Sequence, residues 1–363
     1  YIHVERHVTK KNTLDRRGFL RRTTAVGIGV VSGGVLFPGC MDGLARSGKA
    51  SMIGYKPAPA DTVKVGFVGI GNMGSGHVRN LLRIEGCRIA AVCDIRPQRV
   101  EWAQKAVVEA GFPKPKGYTR GERDFERMCA EEDLNLVYNA APWRWHTPIC
   151  LSAMNNGKHA ASEVNIALSV EDCWKLVETS EKTKKHCVMQ ENCCYDSTEM
   201  VVLNMIEQGL FGEIMHGECG YLHDLRGLKI HPTVYQGMWR AHQSLKRNGN
   251  LYPTHGIGPM AWCMDINRGD AFDTLVSMST KSVGLNEFAE KKYKEAKNEK
   301  DKSFYGEWRN RNYALGDVNI TAGGTITDSG AIVANDLVIA THLDGGAAIT
   351  LDTAAGDVDT IDI

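Results

Sequence analysis

Several absences bound the chain before any motif is read. It holds 11 cysteines, yet no two stand as Cys-x-x-Cys, and Cys87, Cys93, Cys150, Cys187 and Cys219 lie in apolar runs of strand or helix character. That argues against a disulfide framework or a structural zinc centre and for buried reduced thiols, and no metal site is expected. Lysine, arginine and glutamate are missing altogether from Thr321–Ile363, where seven aspartates are scattered among Thr, Ala, Gly, Ile and Val. Residues 321–363 thus read as an atypical tail, truncated or chimeric, closer to a repetitive β-rich surface protein than to the end of an α/β enzyme. Net charge is also lacking, with 43 basic residues against 43 acidic ones, so nothing favours a nucleic-acid partner. The 43% hydrophobic and 24% charged content excludes disorder, and 363 residues suffice for two domains.

The few basic residues that do cluster are at the start. Seven Lys and Arg against Glu5 and Asp15 leave +5 on the first forty residues, and −5 on the rest. "DRRGFLRRTTAVGIGVVSGGVLFPGC" joins a twin arginine to a weakly apolar stretch too short to span a membrane and a Gly-Cys end. Residues 1–40 therefore read as a Tat export signal, directing the chain to the periplasm or cell envelope. Cys40 is a candidate lipid anchor after a loose lipobox that Pro38 fits poorly; the alternative is a simple cleaved signal. Residues 41–61 read as a linker.

Beyond it, strand and helix patterns alternate: "TVKVGFVGIG" and "NMGSGHVRNLLRI", "CRIAAVCDI" and "RPQRVEWAQKAVVEAG", "LNLVYNAAP" and "WHTPICLSAMNNG", then "KHAASEV" and "SVEDCWKLVETSEKT" with Ser169 as cap. This predicts a doubly wound parallel α/β sheet over 62–185. Residues 186–320 change pattern. "HCVMQENC" reads as a strand, "STEMVVLNMIEQG" as a helix and "EIMHGECGYLHDL" as one long alternating strand, which predicts a second, α+β domain on a mostly antiparallel sheet. Residues 286–312, dense in Lys, Glu and Asn, read as a solvated helix and loop.

Gly69, Gly71 and Gly74 form G-x-G-x-x-G between the first strand and its helix. They suit a tight turn, a close approach to a pyrophosphate and close helix packing, in that order. Asp94 stands twenty residues after Gly74 at the end of the second strand, placed to accept from ribose hydroxyls and to repel a 2′-phosphate. NAD is the expected cofactor, with Arg96 the one feature favouring NADP. "APWRWHTPI" ends a strand where open sheets bind ligands, so Trp143, Trp145 and His146 are either nicotinamide neighbours or packing beneath a helix. In the second domain Tyr195, Tyr221, His223, Arg240, Tyr252 and His255 make a dense polar and aromatic set. His255, between a Tyr-Pro turn and two glycines, is expected on a rigid turn rather than a helix face.

With "WRWH", "EV" at 163, "QENCCYD", "YLHDLR" and "RNGNLYPTHGIGP", the chain resembles the NAD-dependent α-N-acetylgalactosaminidases of glycoside hydrolase family 109, within the glucose-fructose oxidoreductase and inositol dehydrogenase fold group, through about Asn319. The resemblance implies that Asn72, Met73, Asp94, Trp143, Arg144, Trp145, His146, Glu163, Val164, Asn192 and Tyr252 contact NAD. It implies that Tyr221, Arg240, Tyr252, Pro253, Thr254 and His255 contact the sugar of a glycan or glycoconjugate ending in N-acetylgalactosamine. A sugar dehydrogenase of similar layout would carry Glu-Lys-Pro where this chain has Glu163-Val164. Family 109 manages without that lysine by transient oxidation: hydride leaves C3 for NAD, the C2 proton is lost, the group at C1 is expelled, water adds and the hydride returns, with retention. No Asp/Glu pair is then needed. His255 and Tyr195 are the expected proton-transfer residues, since imidazole titrates near neutrality; the phenol would need a cation beside it. The competing readings are a plain NAD-dependent sugar dehydrogenase, against which the missing lysine and the export signal stand, and a non-catalytic envelope protein with a relic NAD fold. A homodimer is the default expectation.

Overall fold

The computed structural model describes residues 2–5, 51–324, 336–341 and 347–352, apart from 53, 215, 269, 273 and 318. The expected export signal, Cys40 included, lies outside the described residues except for Ile2–Glu5 (β1). The chain divides near Gln190 into two compact units.

The first unit runs β2 (Val63–Val68), α1 (Asn72–Leu81), β3 (Cys87–Cys93), α2 (Pro97–Glu109), β4 (Lys116–Tyr118), α3 (Asp124–Glu131), β5 (Leu136–Asn139), α4 (His146–Asn155), β6 (His159–Ser162), α5 (Val170–Thr183) and β7 (Cys187–Met189). All six strands pair in parallel, in the order β4-β3-β2-β5-β6-β7. Such strands are apolar on both faces because helices cover both. Accordingly Val65, Phe67, Ile89 and Val92 fall in one buried cluster with Val78, Val100 and Val107 from α1 and α2. Val68, Ala91, Val137 and Ala160 fall in the other with Phe125, Met128, Ile149 and Met154 from α3 and α4. The order reverses between β3 and β5 on either side of β2, which puts the ligand crevice of such folds at the C-terminal ends of β2 and β5. As expected, Ser169 caps α5, its Oγ accepting from Asp172 N–H at 3.1 Å.

One boundary moves. "HCVMQENC" was expected in the second domain, but Cys187–Met189 pairs with β6 and completes the parallel sheet. Its three residues are too short for composition to assign it to either sheet.

The second unit contains α6 (Ser197–Glu207), β8 (His216–Cys219), α7 (Arg226–Lys229), α8 (Trp239–Lys246), α9 (Thr254–Cys263), β9 (Thr274–Ser279), α10 (Gly284–Glu295), α11 (Glu299–Trp308) and β10 (Asn319–Gly324). A four-stranded sheet runs β8-β1-β10-β9, antiparallel at its two outer pairings and parallel between β1 and β10. Thus four residues of the expected leader form a strand of this sheet. In the tail, β11 (Asp336–Thr341) and β12 (Ala347–Asp352) form an antiparallel pair.

Two expectations fail here. The long strand over 213–225 shrinks to the four residues of β8, because α9 lies against it: a Cβ on Gly217 would sit 2.2 Å from Met260 Sδ, and one on Gly256 would sit 2.9 Å from Gly220 N. Residues 286–312 are two helices rather than a solvated helix and loop. Leu285 and Ala289 on α10 and Trp308 on α11 are buried with Ile230, Met238 and Tyr313, beneath the charged face that dominates the composition. Among the described residues no helix is long and apolar enough to cross a membrane.

Candidate active site

In the first unit the glycine turn has the form the sequence predicts. Gly69 takes φ +87°, and a Cβ there would meet Ala141 N at 2.5 Å. Gly74 packs so closely that its Cβ would lie 2.0 Å from Gly69 O, whereas a Cβ on Gly71 meets nothing within 4 Å. Gly71 is the N-cap of α1 and no side chain caps it, so open space borders a helix N-terminus suited to phosphate. Asp94 Oδ2 accepts from Ile70 N–H at 2.7 Å and Oδ1 from Arg96 N–H at 2.9 Å, which ties the acid to the turn. Arg96, the residue favouring NADP, lies against the same carboxylate at 3.5 Å. The open cradle and the acid beside it fit a dinucleotide with a free ribose diol.

The remaining expected cofactor contacts divide. Asn72 and Met73 are exposed at the start of α1, and Arg144 is exposed and paired with Glu122. Trp143 and His146 are buried; His146 Nδ1 lies 2.8 Å from Asn165 O and Nε2 2.7 Å from Ala141 O, so both ring nitrogens are engaged by backbone. Burial lowers the His146 pKa. Trp145 packs edge-on against Phe125. Val164 is buried, and Glu163 pairs with His77, whose ring lies against Tyr138. His77 escaped sequence reasoning, because one histidine in a helix carries no spacing signal. Beneath them Asn139 Nδ2 donates to Ser162 Oγ at 3.2 Å, and Asn139 Oδ1 accepts from Ala141 N–H at 3.1 Å. This buried network fixes the ends of β5 and β6. Asn192 belongs to the second unit, where it is exposed.

In the second unit the expected sugar contacts converge. Tyr252 and His255 stack at 5.2 Å and 16°, Tyr221 lies 5.0 Å from His255 and 5.2 Å from Tyr252, and His223 lies 4.6 Å from Tyr221. Arg240, buried on α8, sets its guanidinium 4.5 Å from the Tyr252 ring centroid and donates to Tyr235 Oη. Burial pushes the Tyr221 phenol up against the opposing pull of Arg240. Pro253 precedes α9 as its N-cap, and Thr254 opens the helix. His255 therefore sits in a first helical turn, not on the rigid turn its neighbours suggested. Gly256 and Gly258 serve contact rather than turn geometry: a Cβ on Gly258 would lie 2.8 Å from both Glu191 Cγ and Cys194 Sγ. Tyr195 does not join this group. It is exposed, with its ring edge-on to Trp262 at 5.3 Å.

Two further residues stand in this unit without having been singled out. His255 Nδ1 lies 2.5 Å from Glu191 Oε1, which also accepts from Cys193 N–H at 3.1 Å. Burial would raise the Glu191 carboxyl, but the bonds from His255 and Cys193 outweigh it and hold the carboxyl below the usual range. Glu191, Cys193 and His255 also bring one donor atom each to within 4.8 Å of one another. The Cys193 thiol is pushed up to about 11 by burial and by Glu191. Lys229, on α7, is lowered to about 8 by burial and by the charge of Arg240, against Asp317. Lys229 belongs to no motif, and Glu191 stands in "QENCCYD" without a spacing that marks it as a site residue.

Comparison with known proteins matches residues 63–191 to the oxidoreductase family with an NAD-binding Rossmann fold, and residues 195–341 to the C-terminal domain of glycosyl hydrolase 109. The second match continues past Asn319, where the resemblance was expected to end. A glycosyl hydrolase family 109 protein of Saccharopolyspora erythraea is 44% identical over 78% of this chain and 62% of its own length. A Shewanella oneidensis protein named alpha-N-acetylgalactosaminidase is 40% identical over 78% of this chain and 62% of its own. The chain thus spans somewhat under two thirds of the length of these relatives. A WlbA dehydrogenase of Chromobacterium violaceum, solved with NADH and UDP-GlcNAcA, shares the fold at 17% identity and a TM-score of 0.51, over 76% of this chain and 67% of that one. An NAD-binding Rossmann domain followed by the family's own C-terminal domain places the chain in glycosyl hydrolase family 109.

Proposed function

We propose that the protein removes terminal α-N-acetylgalactosamine from glycans or glycoconjugates, holding NAD throughout the cycle, with retention. The observation that carries the reading is the convergence of Tyr221, Tyr252 and His255 on one ring cluster braced by Arg240, in a chain whose dinucleotide turn is intact. When held at the Gly71 turn and Asp94, NAD would supply a reversible hydride acceptor for the sugar. The chain's own residues supply the rest. Gly71 leaves room for the pyrophosphate, and Asp94 accepts from the ribose diol. His255 moves a proton at its Nε2. The hydroxyls of Tyr221 and Tyr252 suit the oxygens of a sugar. Tyr195, with no cation against its phenol among the described residues, is the weaker of the two expected proton-transfer residues. Export by the Tat route and a lipid anchor at Cys40 belong to the same proposal: an enzyme that regenerates its NAD each turn needs no free dinucleotide around it.

The test is release of nitrophenol from 4-nitrophenyl α-N-acetylgalactosaminide by the full chain, with absorbance followed at the NADH band. Release without net NADH is the expected result. Accumulating NADH would instead indicate a sugar dehydrogenase. No release, with NAD recovered on denaturation, would leave a dinucleotide-binding protein of other activity.

A further inference from the structure

We propose that Glu191 is a positioning residue for His255: it accepts the Nδ1 hydrogen and so fixes the tautomer that leaves Nε2 free to take a proton. This rests on the proton-transfer role given to His255 above. The two side chains come from positions 64 residues apart and meet at 2.5 Å between Glu191 Oε1 and His255 Nδ1. An ionised carboxylate can only accept, so the shared hydrogen belongs to Nδ1. The carboxylate is itself held, because the same oxygen takes the Cys193 N–H at 3.1 Å. The ring has little freedom to turn away, with Tyr252 stacked on it and Tyr221 inclined to it.

Burial makes the arrangement specific. The side chain of Glu191 is 5% exposed and that of His255 is 15% exposed. A carboxylate taken out of water costs several kcal/mol, and capping the four-residue turn Asn192–Tyr195 does not require one, since Ser, Thr or Asn caps as well. The space is built for it: Gly258 is the residue on α9 whose missing Cβ admits Glu191 Cγ. A cation shared by Glu191, Cys193 and His255 accounts for the geometry less well. Two ligand atoms on one tetrahedral zinc lie about 3.3 Å apart at ordinary bond lengths, whereas the observed 2.5 Å is a hydrogen-bond separation. The ionised state of Glu191 agrees with its lowered pKa.

The first measurement is a nitrogen-15 NMR spectrum of the full chain with labelled histidine and NAD present, with His255 assigned by comparison with His255→Gln. Pyrrole-type Nδ1 and pyridine-type Nε2 in the neutral imidazole are expected; the reverse would overturn the proposal without any variant of Glu191. The second is Glu191→Gln, which keeps shape and an acceptor but removes the charge and lets the amide donate instead. Mixed tautomers are expected, with kcat lower by about 10²- to 10⁴-fold, KM within about twofold and NAD content unchanged. Wild-type tautomer and wild-type kcat in Glu191→Gln would overturn the proposal. Should the wild-type chain release no nitrophenol, the glycosidase reading fails, while the tautomer of His255 still decides whether Glu191 positions it.

Discussion

Asp94 ties the dinucleotide turn to the end of the second strand of its sheet. Its two oxygens hold the N–H groups of Ile70 and Arg96, so Asp94→Ala strands both donors and is expected to cost about 1–3 kcal/mol of stability, read by urea unfolding, besides weakening NAD binding. Asp94→Asn keeps one acceptor and removes the repulsion of a 2′-phosphate; its ratio of NADP to NAD affinity should rise. His255→Ala should leave NAD bound and remove glycoside turnover. Lys229 predicts a pH effect. Its pKa of about 8 lies below the unfolded value of about 10.4, so folding disfavours the charged form. Stability therefore rises as pH passes from about 8 to above 10, and is penalised below that window. Lys229→Met should gain about 1–3 kcal/mol at pH 7 and flatten that rise, as thermal unfolding across the pH range would show. Most of the ring cluster was legible as residues, since Tyr221, Tyr252 and His255 stand in motifs and Arg240 in the polar set between them. Glu191 stands in a motif too, but its role was not legible, because it comes from a contact across 64 residues.

At the scale of elements, the three glycines of the dinucleotide turn separate binding from folding. Gly71→Ala meets no atom within 4 Å, so it should fold like the wild type and lose affinity for the pyrophosphate. Gly74→Ala meets a backbone oxygen at 2.0 Å and should cost about 1–3 kcal/mol or more. Titration calorimetry beside thermal unfolding distinguishes the two. In α9 an alanine at 258 would ordinarily gain up to about 1 kcal/mol in helix propensity, yet its Cβ would displace Glu191. Gly258→Ala should therefore lower activity even where the chain remains folded. The parallel sheet was readable because its strands are continuous apolar runs beside helices of clear period. The second unit was not, because tertiary contact decides it: α9 interrupts the alternation after Cys219, and α10 and α11 hide a narrow apolar stripe beneath many charges.

For the whole molecule, NAD at one hundred times its dissociation constant adds about 2.7 kcal/mol to the state that binds it. Hydrogen exchange should register that gain over residues 63–189, and foremost at Ile70 and the first turn of α1. The chain boundary near Gln190 was legible only to within a strand, since three residues of β7 carry no signature of the sheet they join. The short segments 191–195 and 252–258 meet at one place, where a Cβ on Gly258 would lie 2.8 Å from Glu191 Cγ and His255, in the first turn of the same helix, meets the Glu191 carboxylate. Base and carboxylate thus form a single inheritable cassette. Exchanging either segment for one that lacks its half of the pair would leave the other half without its partner, the histidine without the group that sets its protons or the buried carboxylate without its donor.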